Sequence, residues 1–410
     1  MDDKRLYQQI LGLAEPWFVD RVSLELATQR VEVFVEHRAD ARWQCPQCGK
    51  VCPLHDHSPS RGWRHLDTCQ LQTVLHARPP RVRCPEHGVV TVSLPWAEPN
   101  SHFTMLMESF IIDVLLHCRN VKSAAALARV SWDQCAGVMH RAVRRGLARR
   151  GEIAARQLGV DEKRYRRGHV YATVVCDLNT CGGAVLDVIE GNNSESLAAF
   201  YRGLSPSQLE AILNVVMDMH APYVAATRQH VPGGGDKIIF DRFHIMGLTN
   251  AALERVRQGE HQELRSEGNR TLERARQMLL WADERRPAKY DEHMKRLQQQ
   301  DLRTGKAWSM KENLRRLWNC STIKEARRFF GGWYGWVIKS TIKPMQRLAR
   351  SLAGKLTNIV RFCEHRLTTA TNEGINSQIS SAQHRAAGYR SFARLRIAIL
   401  FFCGKLRLYP

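Results

Sequence analysis

The sequence predicts a multidomain fold in which a small β-rich metal-binding module and an all-α segment precede an α/β domain, itself interrupted by a long all-α insertion. Three observations predict it. Two chelating turns, Cys45-Pro46-Gln47-Cys48-Gly49 and Cys84-Pro85-Glu86-His87-Gly88, flank strand-like residues. Helical spacing of apolar residues such as Phe110, Ile111, Val114 and Leu115 fills 105–150. From 155 a succession of apolar runs ends repeatedly in aspartate, and from 246 it yields to a strongly helical stretch rich in Arg, Lys, Glu and Gln.

At 410 residues the chain exceeds one ordinary domain. A hydrophobic fraction of 44% allows a sizeable core, while Lys+Arg 61 against Asp+Glu 40 leaves a net charge of +21. Such an excess on a globular protein favours a polyanion, nucleic acid first. The start, Met1-Asp2-Asp3-Lys4-Arg5, is followed by no apolar run of signal-peptide length. Nor does any stretch approach the roughly 20 apolar residues of a membrane span. No membrane partner is expected, and the expected location is cytoplasmic and nucleoid-associated. Disulfides are rare there, so the 12 cysteines, five of them between 45 and 84, point to metal.

Residues 1–43 read as a β-rich lead-in, with Val31–Glu36 alternating as a half-buried strand does. Residues 44–92 read as a zinc ribbon. A structural Zn²⁺ takes four N/S ligands in a tetrahedron, two from each turn, and Cys45, Cys48, Cys84 and His87 supply them. Cys52, His55, His57, His65 and Cys69 are rival ligands, Cys52 the best substitute. Arg61, Arg64, Arg81 and Arg83 lie in the ribbon, which would hold them against DNA.

Residues 100–150 read as a helix-turn-helix DNA-binding domain. A short small-residue helix, 121–129, and a tight turn precede a second helix that Ser131 is suited to N-cap. In such motifs the second helix lies in the major groove, so Gln134 or Asp133 is expected at base edges and Arg141, Arg144 and Arg145 at phosphates.

Residues 155–250 carry strands ending at Asp161 and Asp177, a hairpin partner containing Asp187, a helix, a strand ending in Asp218, a helix, and a fifth strand ending in Asp241. Three antiparallel strands followed by helix, strand, helix and strand is the order of the ribonuclease-H-like fold, in which the first and fourth strands are neighbours. Asp161 and Asp218 would face one another there, and could hold two divalent ions, Mg²⁺ or Mn²⁺, for in-line phosphoryl displacement. A third acid is expected from a late helix, and Glu373 provides it. Asp177 and Asp187, beside the hairpin turn, read as turn residues. Residues 251–360 form the helical insertion, and 361–410 return to the catalytic core with the third acid. Trp281, Trp308, Trp318, Trp333 and Trp336 fall in the insertion, where an aromatic can stack on an extruded base.

Together these residues resemble the DDE transposases of bacterial insertion sequences, ISL-three family. The markers are CPQCG and CPEHG, WRHLD at 63–67, PWA at 95–97, GVDE at 159–162, VVMDMHAPY at 215–223, DRFH at 241–244, TNEGINSQI at 371–379 and GYRSFARLRIAIL at 388–400. The resemblance implies a catalytic triad of Asp161, Asp218 and Glu373, separated by an all-helical insertion. It also implies a D-x-x-H pair in which His244 positions the scissile phosphate or a metal-bound water. Arg385, Tyr389 and Arg390 would flank the active site and contact phosphate. His87 departs from the cysteine common at the end of the family's second knuckle, yet histidine still ligates zinc. The expected enzyme binds double-stranded DNA at the inverted ends of its element, cleaves and rejoins it with a target, and works as a homodimer or higher assembly. The alternatives are a catalytically inactive DNA-binding regulator derived from a transposase, and a structure-selective nuclease on the same fold.

Overall fold

The computed structural model describes all residues except Met1, Arg167, His169, 367–369, Ala387 and Arg390, and the side chains of Ala370 and Asn372. The chain forms two compact units, Met1–Gly151 with Leu406–Pro410, and Glu152–Lys405. Among the described residues no helix is long and apolar enough to cross a membrane.

The first unit begins with a helix, α1 (Asp3–Ile10), which the sequence analysis had not anticipated, then β1 (Trp17–Glu25) and β2 (Arg30–His37). Short strands follow: β3 (Trp43–Gln44), β4 (Val51–Cys52), β5 (Leu54–His57), β6 (Arg61–Arg64), β7 (Gln72–Ala77), β8 (Pro80–Cys84) and β9 (Gly88–Thr91). The lead-in and the ribbon are not separate, because one sheet runs β1-β2-β7-β6. The cause is the inward row Val31, Val33 and Val35, which must be covered. It shares a single core with Leu75, Ala77, Val82 and Trp17, Trp43, Trp63 and Trp96. Three helices complete the unit: α2 (Met105–Cys118), α3 (Val121–Ala128) and α4 (Trp132–Arg149). Leu406–Pro410, expected in the catalytic core, instead packs on α4. Leu406 Cβ lies 2.6 Å from where a Cβ on Gly146 would stand, so only glycine allows the approach.

The second unit is built on five strands: β10 (Gln157–Arg166), β11 (Val170–Asp177), β12 (Ala184–Glu190), β13 (Asn214–Met217) and β14 (Ile238–Phe240). Their order is β12-β11-β10-β13-β14, antiparallel from β12 to β10 and parallel from β10 to β14. Val215, Val216 and Met217 are buried, as a strand covered on both faces requires. Between strands run α5 (Ser194–Arg202), α6 (Pro206–Ala211), α7 (Ala221–His230) and α8 (Gly234–Lys237). The insertion opens with α9 (Arg242–Ser266) and continues through α10 (Ala275–Leu280), α11 (Asp291–Gln299), α12 (Arg303–Arg315), α13 (Ile323–Lys339), α14 (Lys343–Ala353), α15 (Leu356–Val360) and α16 (Phe362–His365). Its core is continuous with that of the sheet. Trp308, Trp318 and Trp333 belong to this core, whereas Trp281 and Trp336 are exposed. Two helices close the unit, α17 (Ala370–Arg385) and α18 (Phe392–Cys403).

Candidate functional site

Three sets of residues follow from this scaffold. In the first unit, Cys45, Cys48, Cys84 and His87 bring one ligand atom each to within 4.8 Å of one another. Cys48 and Cys84 sulfurs lie 3.6 Å apart, and His87 Nδ1 lies 3.7 Å from Cys45 Sγ and 3.5 Å from Cys84 Sγ. Bonds of about 2.3 Å to sulfur and about 2.0 Å to nitrogen give tetrahedral edges of about 3.8 Å between sulfurs and about 3.5 Å from sulfur to nitrogen. The soft donor set and its spacing therefore fit Zn²⁺. Gly49 and Gly88, both at positive φ, form the knuckle turns. The rivals stand apart. Cys52 Sγ donates to the Lys50 carbonyl at 3.3 Å. Buried His65 bonds Thr104 Oγ1 at 2.9 Å, and burial lowers its pKa to about 4. His57 stacks on His37. Of the ribbon arginines, Arg81 pairs with Asp56 and Arg64 with Asp67, Arg61 donates to the Ser101 carbonyl, and Arg83 is exposed.

The helix-turn-helix has the expected caps, but two of its arginines have another task. Ser131 Oγ accepts from Gln134 N at 3.1 Å while Gln134 Oε1 accepts from Ser131 N at 2.9 Å, so the Gln134 side chain closes a capping box rather than facing bases. Arg145 is only 8% exposed. It donates to Glu98 at 2.6 and 2.7 Å, to buried Glu108 at 3.0 Å, and to the Leu408 carbonyl. Arg141 Nε donates to Glu108 at 2.8 Å. Arg145 and Arg141 are thus structural counter-ions rather than phosphate contacts. Along one stripe of α4, Asp133, His140 and Arg144 are exposed at i, i+7 and i+11, with half-buried Gly137 between them at i+4. Sequence reasoning missed His140, although that spacing would have found it. Arg145→Ala is expected to destabilise this unit by about 3 kcal/mol, because it leaves buried carboxylate undercompensated. Arg144→Ala should leave the melting temperature unchanged and lower the salt slope of DNA binding by about 1. Thermal unfolding and a salt titration separate the two; equal behaviour of the variants would refute the assignment.

In the second unit, the parallel register pairs Leu158 with Val215 and Gly159 with Val216. Continued by two residues, it sets Asp161 opposite Asp218. On the other side Met217 pairs with Phe240, so the next pair is Asp218 with Asp241. Three aspartates therefore stand in a row across neighbouring strands, about 4.8 Å apart from strand to strand: Asp218 and Asp241 just past the ends of β13 and β14, and Asp161 within β10, which runs on to Arg166 rather than ending at the aspartate as the sequence suggests. Burial raises the pKa of Asp218 and of Asp241, and the Asp161 charge adds to both shifts. His244 Nε2 lies 3.8 Å from Asp161 Oδ1 and 4.0 Å from Asp241 Oδ2. The His220 backbone donates to Asp218 Oδ1 at 3.0 Å, and Asp241 N-caps α9 by accepting from Phe243 N at 2.7 Å.

Helix α17 brings Glu373 to this row. The hairpin tip at Gly183 (φ +67) leaves no room for a Cβ, which would meet Thr371 Cγ2 at 2.5 Å and Ile375 Cδ1 at 2.6 Å. One turn beyond Glu373, Asn376 Nδ2 donates to Asp161 Oδ2. Glu373 is exposed, and its charge reaches Asp241 strongly enough to raise that group's pKa. Sequence reasoning missed Asn376, and only its place one turn after Glu373 signalled it. Among the described residues the Cys45 group is the only cluster of three or more His, Cys, Asp or Glu side chains close enough together to hold a metal ion. Asp177 accepts from Asn179 N and Thr180 Oγ1 within its own turn, and Asp187 pairs with Arg396. Arg385 is exposed near the end of α17, half-buried Tyr389 follows, and Arg390 lies outside the described residues.

Comparison with known proteins agrees with these modules. Residues 158–399 match a transposase family, 92–143 the helix-turn-helix domain of transposase family ISL3, and 41–87 the zinc finger of transposases IS204/IS1001/IS1096/IS1165. The transposase for insertion sequence element IS1001 of Bordetella parapertussis is 28% identical over 366 residues, covering 86% of this chain and 88% of the relative. The transposase for insertion sequence element IS1557 of Mycobacterium tuberculosis (strain CDC 1551 / Oshkosh) is 24% identical over 435 residues, covering 98% and 96%. With a match over more than half its length, flanked by the family's zinc finger and helix-turn-helix, the chain belongs to the ISL3 family of transposases.

Proposed function

We propose that the protein binds the terminal inverted repeats of its own insertion sequence, cleaves the DNA there and joins the freed end to target DNA, with Asp161, Asp218 and Glu373 as the catalytic acids. The observation that carries this reading is the row of carboxylates across three adjacent parallel strands, with Glu373 brought alongside by α17. The strand order β12-β11-β10-β13-β14 supports a ribonuclease-H-like core, residues 155–250 and 361–405, around the insertion at 251–360.

The donor set fits hard divalent ions: all are carboxylate oxygens, and a bound cation would offset both the burial that chiefly raises the Asp218 pKa and the Asp161 charge that adds to it. Two Mg²⁺ or Mn²⁺ ions there supply activation of the nucleophile and stabilisation of the leaving oxygen. The protein's own groups orient the reaction. Asn376 fixes the Asp161 carboxylate, the His220 amide fixes that of Asp218, and His244 faces Asp161 as a phosphate-positioning group. In the first step water attacks phosphorus and the bond to the 3′ oxygen breaks, leaving a 3′-OH and a 5′-phosphate. In the second that 3′-OH attacks a target phosphodiester and displaces the target's own 3′ oxygen. The zinc centre holds the front end rigid, and Asp133, His140 and Arg144 face the DNA groove. Pairing two ends requires at least a homodimer on DNA.

The test is incubation of purified protein with labelled duplex carrying the inverted repeat that flanks its coding sequence, with Mg²⁺ or with EDTA. Cleavage at the repeat end only with Mg²⁺ is expected. Tight binding with no cleavage in Mg²⁺ or Mn²⁺ would replace the proposal with a DNA-binding regulator. Cleavage indifferent to end sequence would replace it with a structure-selective nuclease.

A further inference from the structure

Beside the acid row lies a groove of about 420 Å³ between β10 and α17, lined among others by Lys163, Arg164, Tyr165, Ser380, Gln383 and His384. Lys163 follows Asp161 by two residues on β10, hence on the same face and about 6.6 Å further along. Its ammonium is half-buried, and its hydrogen-bond partners are neutral oxygens: Ser380 Oγ at 2.5 Å and the Asn376 carbonyl at 3.4 Å. No described carboxylate lies within ion-pair distance of it; the nearest acid whose charge acts on it is Asp161, further along the same face. An ammonium partly withdrawn from water with no carboxylate in contact is costly, and an anion entering the groove offsets that cost. Arg164 adds positive charge to the same groove and His384 a ring that can donate a hydrogen bond, so the groove suits an anion rather than a cation or an apolar group.

We propose that Lys163 is a positioning residue that grips the backbone phosphate next to the scissile one, with the DNA strand itself providing the missing counter-ion. The proposal rests on DNA being the substrate of the acid row. Ser380 and the Asn376 carbonyl aim the ammonium, and Asn376 also holds Asp161, so one turn of α17 sets both the metal-binding oxygen and the phosphate contact. The strand is thereby held in register with Asp161 before either transfer step.

The experiment is a cycle between protein and DNA. Lys163→Gln is compared with wild type on element-end duplexes in which single phosphates around the cut are replaced, one at a time, by neutral methylphosphonate. Lys163→Gln should cleave the unmodified duplex about tenfold more slowly or worse, with the salt slope of binding reduced by about 1. At one linkage next to the cut, the methylphosphonate should cost wild type as much and the variant nothing further. Lys163→Ala/Ser380→Lys, which moves the cation across the groove, should recover most of the loss, as no packing role would. Losses that multiply at every linkage, or a relocated lysine that restores nothing in a normally folded protein, overturn the proposal. The same cycle read by binding in EDTA tests the contact separately. A wild type that binds with this linkage dependence yet never cleaves would refute the catalytic reading and leave the phosphate grip standing.

Discussion

Asp218→Asn is expected to lower end cleavage by at least about a thousandfold, the consequence of losing roughly 4 kcal/mol of metal-mediated stabilisation, while binding to the element end stays within about twofold and the metal-free protein becomes more stable. The three effects share one cause. Asp218 is largely buried at the tip of β13 and faces the charge of Asp161, and both features raise its pKa in the folded protein. A group with a raised folded-state pKa contributes stability below its unfolded pKa and loses that contribution as pH rises through the folded value. At neutral pH the metal-free protein therefore carries an unfavourable carboxylate that asparagine, nearly its isostere, removes. The expected result is a higher melting temperature in EDTA at neutral pH, shrinking as pH falls toward the carboxylate range. In the wild type protons compete with the divalent ion for Asp218, so the Mg²⁺ concentration needed for half-maximal cleavage rises on acidification. Calorimetry in EDTA with a cleavage time course checks the set. A lower melting temperature for Asp218→Asn at neutral pH would refute the electrostatic account, and cleavage within tenfold of wild type would refute the role of Asp218.

Cys84→Ser is expected to unfold the front of the first unit. Structural zinc in small domains is worth about 10–16 kcal/mol of apparent binding energy at neutral pH, more than the net stability of most domains. Here the ligands are part of the core itself: Cys45 and Cys84 are buried in one cluster with Val82, Trp17, Trp43, Trp63 and Trp96. The indoles touch in series, Trp17 with Trp43 at 5.3 Å, Trp17 with Trp96 at 4.8 Å and Trp63 with Trp96 at 5.7 Å. Losing a ligand lets water into this stack. The variant, or wild type stripped by a strong chelator, should show red-shifted tryptophan emission, lose about one zinc per chain by metal analysis and lose end binding, while far-UV signal from the helical insertion persists. Unchanged emission and intact binding after complete zinc removal would show that the four residues hold nothing the fold requires.

The sequence by itself determined the parts whose physics is local. The two knuckles, the Ser131 cap, the two helices of the helix-turn-helix and the aspartates that follow β13 and β14 all follow from spacing within short windows, because turns, caps and strand ends are decided by near neighbours. Tertiary structure alone decided which charged residues face solvent. An arginine has the same sequence signature whether it meets DNA or a buried acid, and the partners of Arg145 are Glu108, 37 residues away, and Leu408, 263 away. The same holds for the sheet that joins β2 to β7, since an apolar strand face states that it must be covered but not by what. The carboxylate row was readable strand by strand. Its orientation was not, because it depends on Asn376 reaching Asp161 across 215 residues and on the absence of a Cβ at Gly183. Desolvation and pairing are set by what packs nearby in space, and that is where a linear chain stops carrying the information.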